Sequence, residues 1–304
     1  MSDNLCIYHK NCLDGFTAAW VVNKALNGDC EFHPANYNEP FPNIGNNKNI
    51  YIVDFSYPRS VLIEMAIFAK KIVVLDHHKT AKEDLSSKPF PISIQNKLQI
   101  IFDMERSGAM ITWNYFFPNQ PAPYGIESVQ DRDLWRFKLG KTKEYNAYLF
   151  SKDMTFENWD ELMVDKNFVN FVARGETLLE KHNKDVKQFA ELTETTLHLD
   201  FGKYDYVVPC CNILPNLASD VGAYLIDKYP YAPFVATFYY TKSTWNFSLR
   251  SREGREDVSA IAKHYGGGGH RNASGFHIGL SYDIVNYSPI FRPDGSVYIP
   301  YSKL

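Results

Sequence analysis

Three short stretches set ionisable side chains directly after apolar runs. "LCIYHKNCLDG" carries His9, Cys12 and Asp14, "IYIVDFS" carries Asp54, and "KIVVLDHH" carries Asp76, His77 and His78. Carboxylates gathered at one place repel one another unless something positive joins them, and a divalent cation is the simplest remedy. Oxygen-rich sets with one or two imidazoles suit Mn2+ or Mg2+, whereas zinc favours a tighter nitrogen and sulfur set. Two such cations sharing a carboxylate activate water and neutralise a phosphoryl oxygen, so the chemistry expected is phosphoester hydrolysis. Taken alone, the Asp-His-His run fits a solvated strand end equally well. Asp14 and Asp54 at the ends of neighbouring elements tip the reading towards a metal site.

A second signal is distal. "HYGGGGHRNASGF" holds four consecutive glycines, Gly266, Gly267, Gly268 and Gly269, followed by His270 and Arg271. With 17 glycines in 304 residues, such a run at a given position is an event on the order of 10⁻⁵ by composition, so chance is a poor explanation. Consecutive glycines bring backbone N–H groups close to an anion, and His270 and Arg271 add cationic donors. Upstream, "SLRSREGRED" offers Arg250 after a strand-like run as a phosphate fork, with Arg252 and Arg255 expected in solvent.

These residues need elements to position them. The first half alternates short apolar runs with amphipathic stretches, as a parallel sheet with crossover helices does. Strands are expected over 5–9, 50–55 and from Lys71 onward. Helices are expected over 17–26, after Pro58, and from Ser107, whose hydroxyl can cap it. Sites in open parallel sheets gather outside the carboxyl ends of the strands, so His9, Asp54 and Asp76 to His78 should converge there. "SVQDRDLWRF" adds two more acids, Asp131 and Asp133. An amphipathic stretch over about 168–192 reads as a connecting helix, and from Thr195 the composition turns strand-like. The expected organisation is α/β: a doubly wound parallel-sheet domain over 1–165, a connecting helix over 166–194 and a smaller α+β domain over 195–304.

Composition narrows the partners. A net charge of −3 offers no broad cationic surface for long double-stranded nucleic acid or an anionic membrane. The sequence shows no leader-like start and no run of about 18 apolar residues, so a cytoplasmic protein is expected. Five scattered cysteines without a Cys-x-x-Cys pair suggest free thiols, neither a disulfide framework nor a zinc knuckle.

The order of "HKNCLDG", "VDFS", "VVLDHH", "QDRD" and "GGGGHRNASGF" resembles the DHH phosphoesterases that carry the DHH-associated C-terminal domain, over residues 5 to 278. That resemblance implies two Mn2+ ions in the N-terminal domain and a C-terminal domain that holds the phosphate or nucleotide of the substrate. It implies Asp54 as the carboxylate bridging both metals, His9 as a ligand of the first, and Asp14, His77 and Asp131 as ligands of the second. It further implies Asp76 orienting the adjacent histidine, His78 facing the substrate phosphate, and Arg250, the glycines 266–269, His270 and Arg271 binding substrate.

The first motif departs from the family in having Cys12 where an aspartate is common. Three readings stay open: a thiolate ligand, a neutral thiol leaving the first metal weaker, or a chain that binds without catalysis. The activity implied is hydrolysis of short oligonucleotides or dinucleotides to nucleoside monophosphates, with Trp245, Phe247 or Tyr265 as candidates to stack a base. Alternatives are a phosphomonoesterase on adenosine 3′,5′-bisphosphate, a cyclic-dinucleotide phosphodiesterase, and a catalytically weak nucleotide-binding module. The oligomeric state is open, a homodimer included.

Overall fold

In this computed structural model, residues 2–37, 39–164, 167–201, 204–241, 244–279, 290–292 and 294–299 are described. Two units divide the chain, Met1–Glu180 and Lys181–Leu304. The division falls inside a long helix, and the boundary expected at 165/166 lies outside the described residues.

The first unit runs β1 (Asn4–His9), α1 (Leu13–Ala25), β2 (Glu31–Ala35), β3 (Asn49–Val53), α2 (Arg59–Phe68), β4 (Lys71–Asp76), α3 (Lys79–Ser86), α4 (Ile92–Gln95) and β5 (Leu98–Phe102). Helices α5 (Gly108–Phe116), α6 (Tyr124–Asp133), α7 (Thr142–Phe150) and α8 (Phe156–Leu162) follow. Its five strands are all parallel, in the order β2-β1-β3-β4-β5. Strand residues alternate between two cores. Leu5, Ile7, Ile50, Ile52, Ile72 and Val74 pack with Leu62 and Met65 of α2, while Cys6, Val53, Val73 and Leu75 pack with α1 and α5. Period-two alternation with apolar residues on both faces is what a doubly wound sheet requires.

Two expectations about elements shift. Helix α1 begins four residues before the expected start, because Cys12 caps it: its Sγ accepts the Gly15 N–H at 3.5 Å. The strands β2 and β5 are additions to the expected set. Pro34 argues against a strand, and is tolerated because β2 lies at the sheet edge. Ser107 does cap α5, accepting from the Met110 N–H at 3.3 Å.

Helix α9 (Phe168–Thr193) carries the chain into the second unit. There β6 (Glu194–Phe201), β7 (Tyr204–Asn212), α10 (Ala218–Lys228), β8 (Val235–Thr241), β9 (Thr244–Arg250), α11 (Val258–His264), β10 (Gly268–His270), β11 (Ala273–Gly279), β12 (Ile290–Phe291) and β13 (Val297–Ile299) form a mixed sheet with its helices. The strand order is β10-β11-β9-β8-β7-β6-β13-β12. Cys210 and Cys211 are buried on opposite faces of β7, in the two cores of this unit, and are packing residues.

Candidate metal centre

Strand order places the site. Strands β1 and β3 are neighbours although β2 lies between them in sequence, so the connections leave the sheet in opposite directions there. In open parallel sheets such a switch point, at the carboxyl ends of the strands, is where ligands bind. His9 ends β1, Asp54 follows β3, and Asp76 ends β4 with His77 and His78 beyond it.

Asp54 is at the centre. Its side chain is buried and its backbone takes a left-handed φ of 51°, held by the Asp54 N–H donating to Leu75 O at 2.9 Å. Such a conformation is uncommon for a residue with a Cβ and gathers at functional sites. Oδ1 lies 3.0 Å from His77 Nε2, while Oδ2 accepts the Cys12 thiol at 3.2 Å and lies 3.5 Å from His9 Nδ1. The two oxygens thus address two different donor sets. Burial alone would push the Asp54 carboxyl up, but the His77 hydrogen bond and the charges of His77 and His9 outweigh it and hold it well below the usual range.

The backbone comes close to Asp54 through two glycines. A Cβ on Gly108 would sit 2.4 Å from Asp54 Cβ, and one on Gly15 would sit 2.5 Å from His9 O. Gly108 opens α5, and its N–H donates to Asp14 Oδ2 at 2.6 Å while the Ala109 N–H donates to Oδ1 at 3.1 Å. Asp14 therefore sits at the positive end of α5. Even so, burial and the charges of Asp54 and Asp133 push its carboxyl well up.

His77 Nε2 lies among three carboxylates: Asp54 at 3.0 Å, Asp133 Oδ2 at 3.6 Å and Asp14 Oδ2 at 3.8 Å. Burial lowers its pKa, but the charge of Asp133, the Asp54 hydrogen bond and the remaining negative charge raise it to about 10. Asp76 is fully buried and saturated. It accepts the His77 and His78 N–H groups at 2.7 and 3.2 Å, His78 Nδ1 at 2.7 Å and the Ser56 hydroxyl at 2.6 Å. Burial opposes the charge here too, yet His78, His77 and Ser56 bring the carboxyl down to about 2. Asp76 thus orients the His78 ring and holds the His77 backbone in place.

The fourth-motif expectation is corrected. Asp131, named as a ligand, faces away from the cluster. Its carboxylate accepts the Lys138 and Leu139 N–H groups at 2.8 and 3.0 Å and the Thr142 hydroxyl at 2.6 Å. That turn includes left-handed Trp135 and Phe137, so Asp131 holds a strained loop in shape. Asp133, at the end of α6, is the residue that reaches His77. Two residues along a helix turn roughly 200°, so one face cannot present both.

Potential ligand atoms lie within 4.8 Å of one another in His9, Cys12 and Asp54, and again in Asp14, His77 and Asp133. His9 Nδ1 is buried without a hydrogen-bond partner among the described residues, as a nitrogen kept for a cation would be. Burial first, then Asp54, Asp133 and Asp14, raises the Cys12 thiol pKa well above its ordinary value, so without a cation the thiol stays protonated. Tyr37, which belongs to none of the sequence motifs, stands at the rim with its ring 5.6 Å from His9 and 5.9 Å from His78.

The C-terminal expectations change in detail. The Gly266 and Gly267 N–H groups donate to Lys263 O and Ala262 O at 3.1 and 2.8 Å, closing α11, so they are not offered to an anion. Gly267 is required because a Cβ would lie 2.1 Å from Gly275 O, and Gly268 and Gly269 enter β10, which pairs with β11. Gly266 and Gly269 have left-handed φ values, of 76° and 136°, that favour glycine. His270 ends β10 opposite Ala273, and Arg271 is turned to Asp257 and the Arg255 carbonyl. Arg250 donates to Leu249 O and Ser219 Oγ, both at 2.9 Å, and its burial lowers its pKa to about 10. Of the aromatic candidates, Phe247 is core, stacked on Phe276, and Tyr265 stacks on the same ring. Trp245 packs against Tyr240.

No protein-family model matches the chain. An uncharacterised protein of Acanthamoeba polyphaga mimivirus is 33% identical over 290 residues, covering 90% of this chain. The chain spans 66% of that relative's length. Among solved structures, the DHH domain of a member of a family of ribosomal proteins is similar with a TM-score of 0.55 at 14% identity, over 90% of this chain and 82% of that one. RecJ of Thermus thermophilus in complex with Mn2+ is similar with a TM-score of 0.49 at 12% identity, over 92% of this chain and 50% of that one. The likeness to the DHH domain of the ribosomal-protein family member shows that the chain has the DHH-domain fold, and its DHH motif residues lie at the carboxyl ends of the parallel strands of its N-terminal unit.

Proposed function

We propose that this chain is a metal-dependent phosphoester hydrolase that holds two divalent cations, Mn2+ before Mg2+, and cleaves short oligonucleotides or dinucleotides to nucleoside monophosphates. The observation that carries the reading is Asp54, one carboxylate whose two oxygens address separate donor sets. His9, Asp54 and Cys12 would hold one cation, and Asp54, Asp14, His77 and Asp133 the other. The second set fits a hard cation, with three carboxylates and one imidazole, whereas the first is a mixed set of one carboxylate, one imidazole and one sulfur that would bind its cation less tightly; on both sides a cation would neutralise buried negative charge. When bound, such a pair supplies an activated water and neutralises charge developing on the phosphoryl group.

The protein's own groups do the rest. Asp76 fixes the His78 ring through Nδ1, so His78 can donate to a phosphoryl oxygen from a set orientation. Tyr37 is 37% exposed and lies edge-on to His9 and His78, a platform for a base beside the scissile phosphate. That ring supports nucleotides over inorganic polyphosphate. In the second unit, Arg250, His270 and Arg271 are the proposed phosphate-binding side chains.

The test is a panel with purified protein and Mn2+: a labelled dinucleotide, a longer RNA, a cyclic dinucleotide and adenosine 3′,5′-bisphosphate. The dinucleotide should turn over fastest. Asp54→Ala and His77→Ala should abolish turnover with the circular dichroism spectrum intact. No turnover of any substrate, with nucleotide still bound, would replace the hydrolase with a binding module.

A further inference from the structure

The two edges of the parallel sheet are built differently. Edge strand β2, "EFHPA", carries Glu31 and Pro34, devices that keep another strand from adding to an edge. The opposite edge, β5, "LQIIF", has no charge, no proline and no glycine, and all five of its residues are half-buried. No strand among the described residues pairs with its outer side. Ile92, on the short helix that leads into β5, is 88% exposed. We infer that β5 is a self-association edge, which pairs antiparallel with β5 of a second copy of this chain across a two-fold axis at Ile100.

Register supports that occupant. Ile72 N–H donates to Lys97 O at 2.8 Å and Asp103 N–H donates to Asp76 O at 3.3 Å, so the odd-numbered residues of this segment turn their backbone groups towards β4. Alternation then turns the N–H and C=O groups of Leu98, Ile100 and Phe102 outward. An axis at Ile100 sets Ile100 opposite its own copy and Leu98 opposite the copy's Phe102. All three outward residues thereby meet outward residues, and each pair can exchange both hydrogen bonds. Leu98, Ile100 and Phe102 also share one face, the α2 side, so the pairing joins three apolar side chains to three. Lys97 and Asp103 bracket the strand, and the same axis sets a cation opposite an anion at each end. Lys97 Nζ already holds Ala66 O and Ala69 O at 2.9 Å, so its charge is fixed at that end. Parallel addition of an unrelated strand would use none of this symmetry.

The experiment is sedimentation velocity on the full chain over a dilution series, with two variants. Wild type should show a concentration-dependent species of twice the chain mass. Ile100→Lys, which would set two ammonium groups face to face, should run as a monomer with unchanged circular dichroism. Ile100→Cys should form an intermolecular disulfide under mild oxidation, on a non-reducing gel where wild type with its five native cysteines stays monomeric. Should the lysine variant misfold, the cysteine cross-link decides. A wild type that remains monomeric throughout, a dimer that survives Ile100→Lys, or an Ile100→Cys chain that does not cross-link would each overturn the inference.

Discussion

Asp131 and Asp133 stand two residues apart on α6, and substituting each in turn should separate a structural role from a metal role. Asp131 accepts two backbone N–H groups and the Thr142 hydroxyl, and it is 5% exposed. Hydrogen bonds to a charged acceptor contribute about 1.5–3 kcal/mol each, but the losses would not simply add. The Lys138 and Leu139 amides lie near the surface and can recover water, and Thr142 keeps Leu139 O at 3.2 Å. We therefore expect Asp131→Ala to cost about 2–3 kcal/mol, a fall in melting temperature of roughly 5–10 °C for a unit of this size.

The sign with pH follows from its depressed pKa. Its contribution is complete above the unfolded value of about 3.9 and is lost as pH falls through the lower folded value, so wild type and variant should converge in acid. Mn2+ affinity should be unchanged. Asp133→Ala should do the reverse: a stability change within about 1 kcal/mol, because the lost attraction to His77 is offset by relief from Asp54 and Asp14, and a loss of affinity of at least about 100-fold. Thermal unfolding in chelator and calorimetric Mn2+ titration read the two effects separately. If Asp131→Ala abolishes Mn2+ binding while leaving the metal-free melting temperature alone, the placement of α6 is refuted.

Because His77 is held near 10 without a cation and must be neutral to ligate, Mn2+ binding at pH 8 should release close to one proton from it. Calorimetry in buffers of different ionisation enthalpy measures this, and buffer-independent heats would count against it. Gly108→Ala should destabilise the chain by about 1–3 kcal/mol through the clash with Asp54, visible in urea unfolding. Cys12→Asp should tighten Mn2+ binding by adding a hard oxygen donor beside Asp54 Oδ2, whereas weaker binding would indicate a thiolate ligand. Tyr37→Ala should raise KM for a dinucleotide several-fold with Tyr37→Phe near wild type, and an equal fall in kcat for both would refute the stacking role.

Much of the site was legible because its residues end strands. An apolar run with period-two burial must continue to the sheet end, and there the first polar residue meets solvent or a ligand. His9, Asp54 and "DHH" needed only that inference together with a parallel topology. The distal glycines were legible as a special segment but not in their use. Closing α11 and pairing with β11 consume N–H groups, and no local pattern reports that.

Residue chemistry and spacing along the chain therefore determined the α/β alternation, the donor types and the side of the sheet on which they gather. Tertiary structure decided which donors meet. The phase of α6 separates Asp133 from Asp131, which are equivalent in sequence. The arrival of Gly108, distant in the chain, gives Asp14 its two N–H partners and leaves room for the left-handed backbone of Asp54. Helix phase and long-range approach depend on how whole elements pack, and a pattern read a few residues at a time does not contain them.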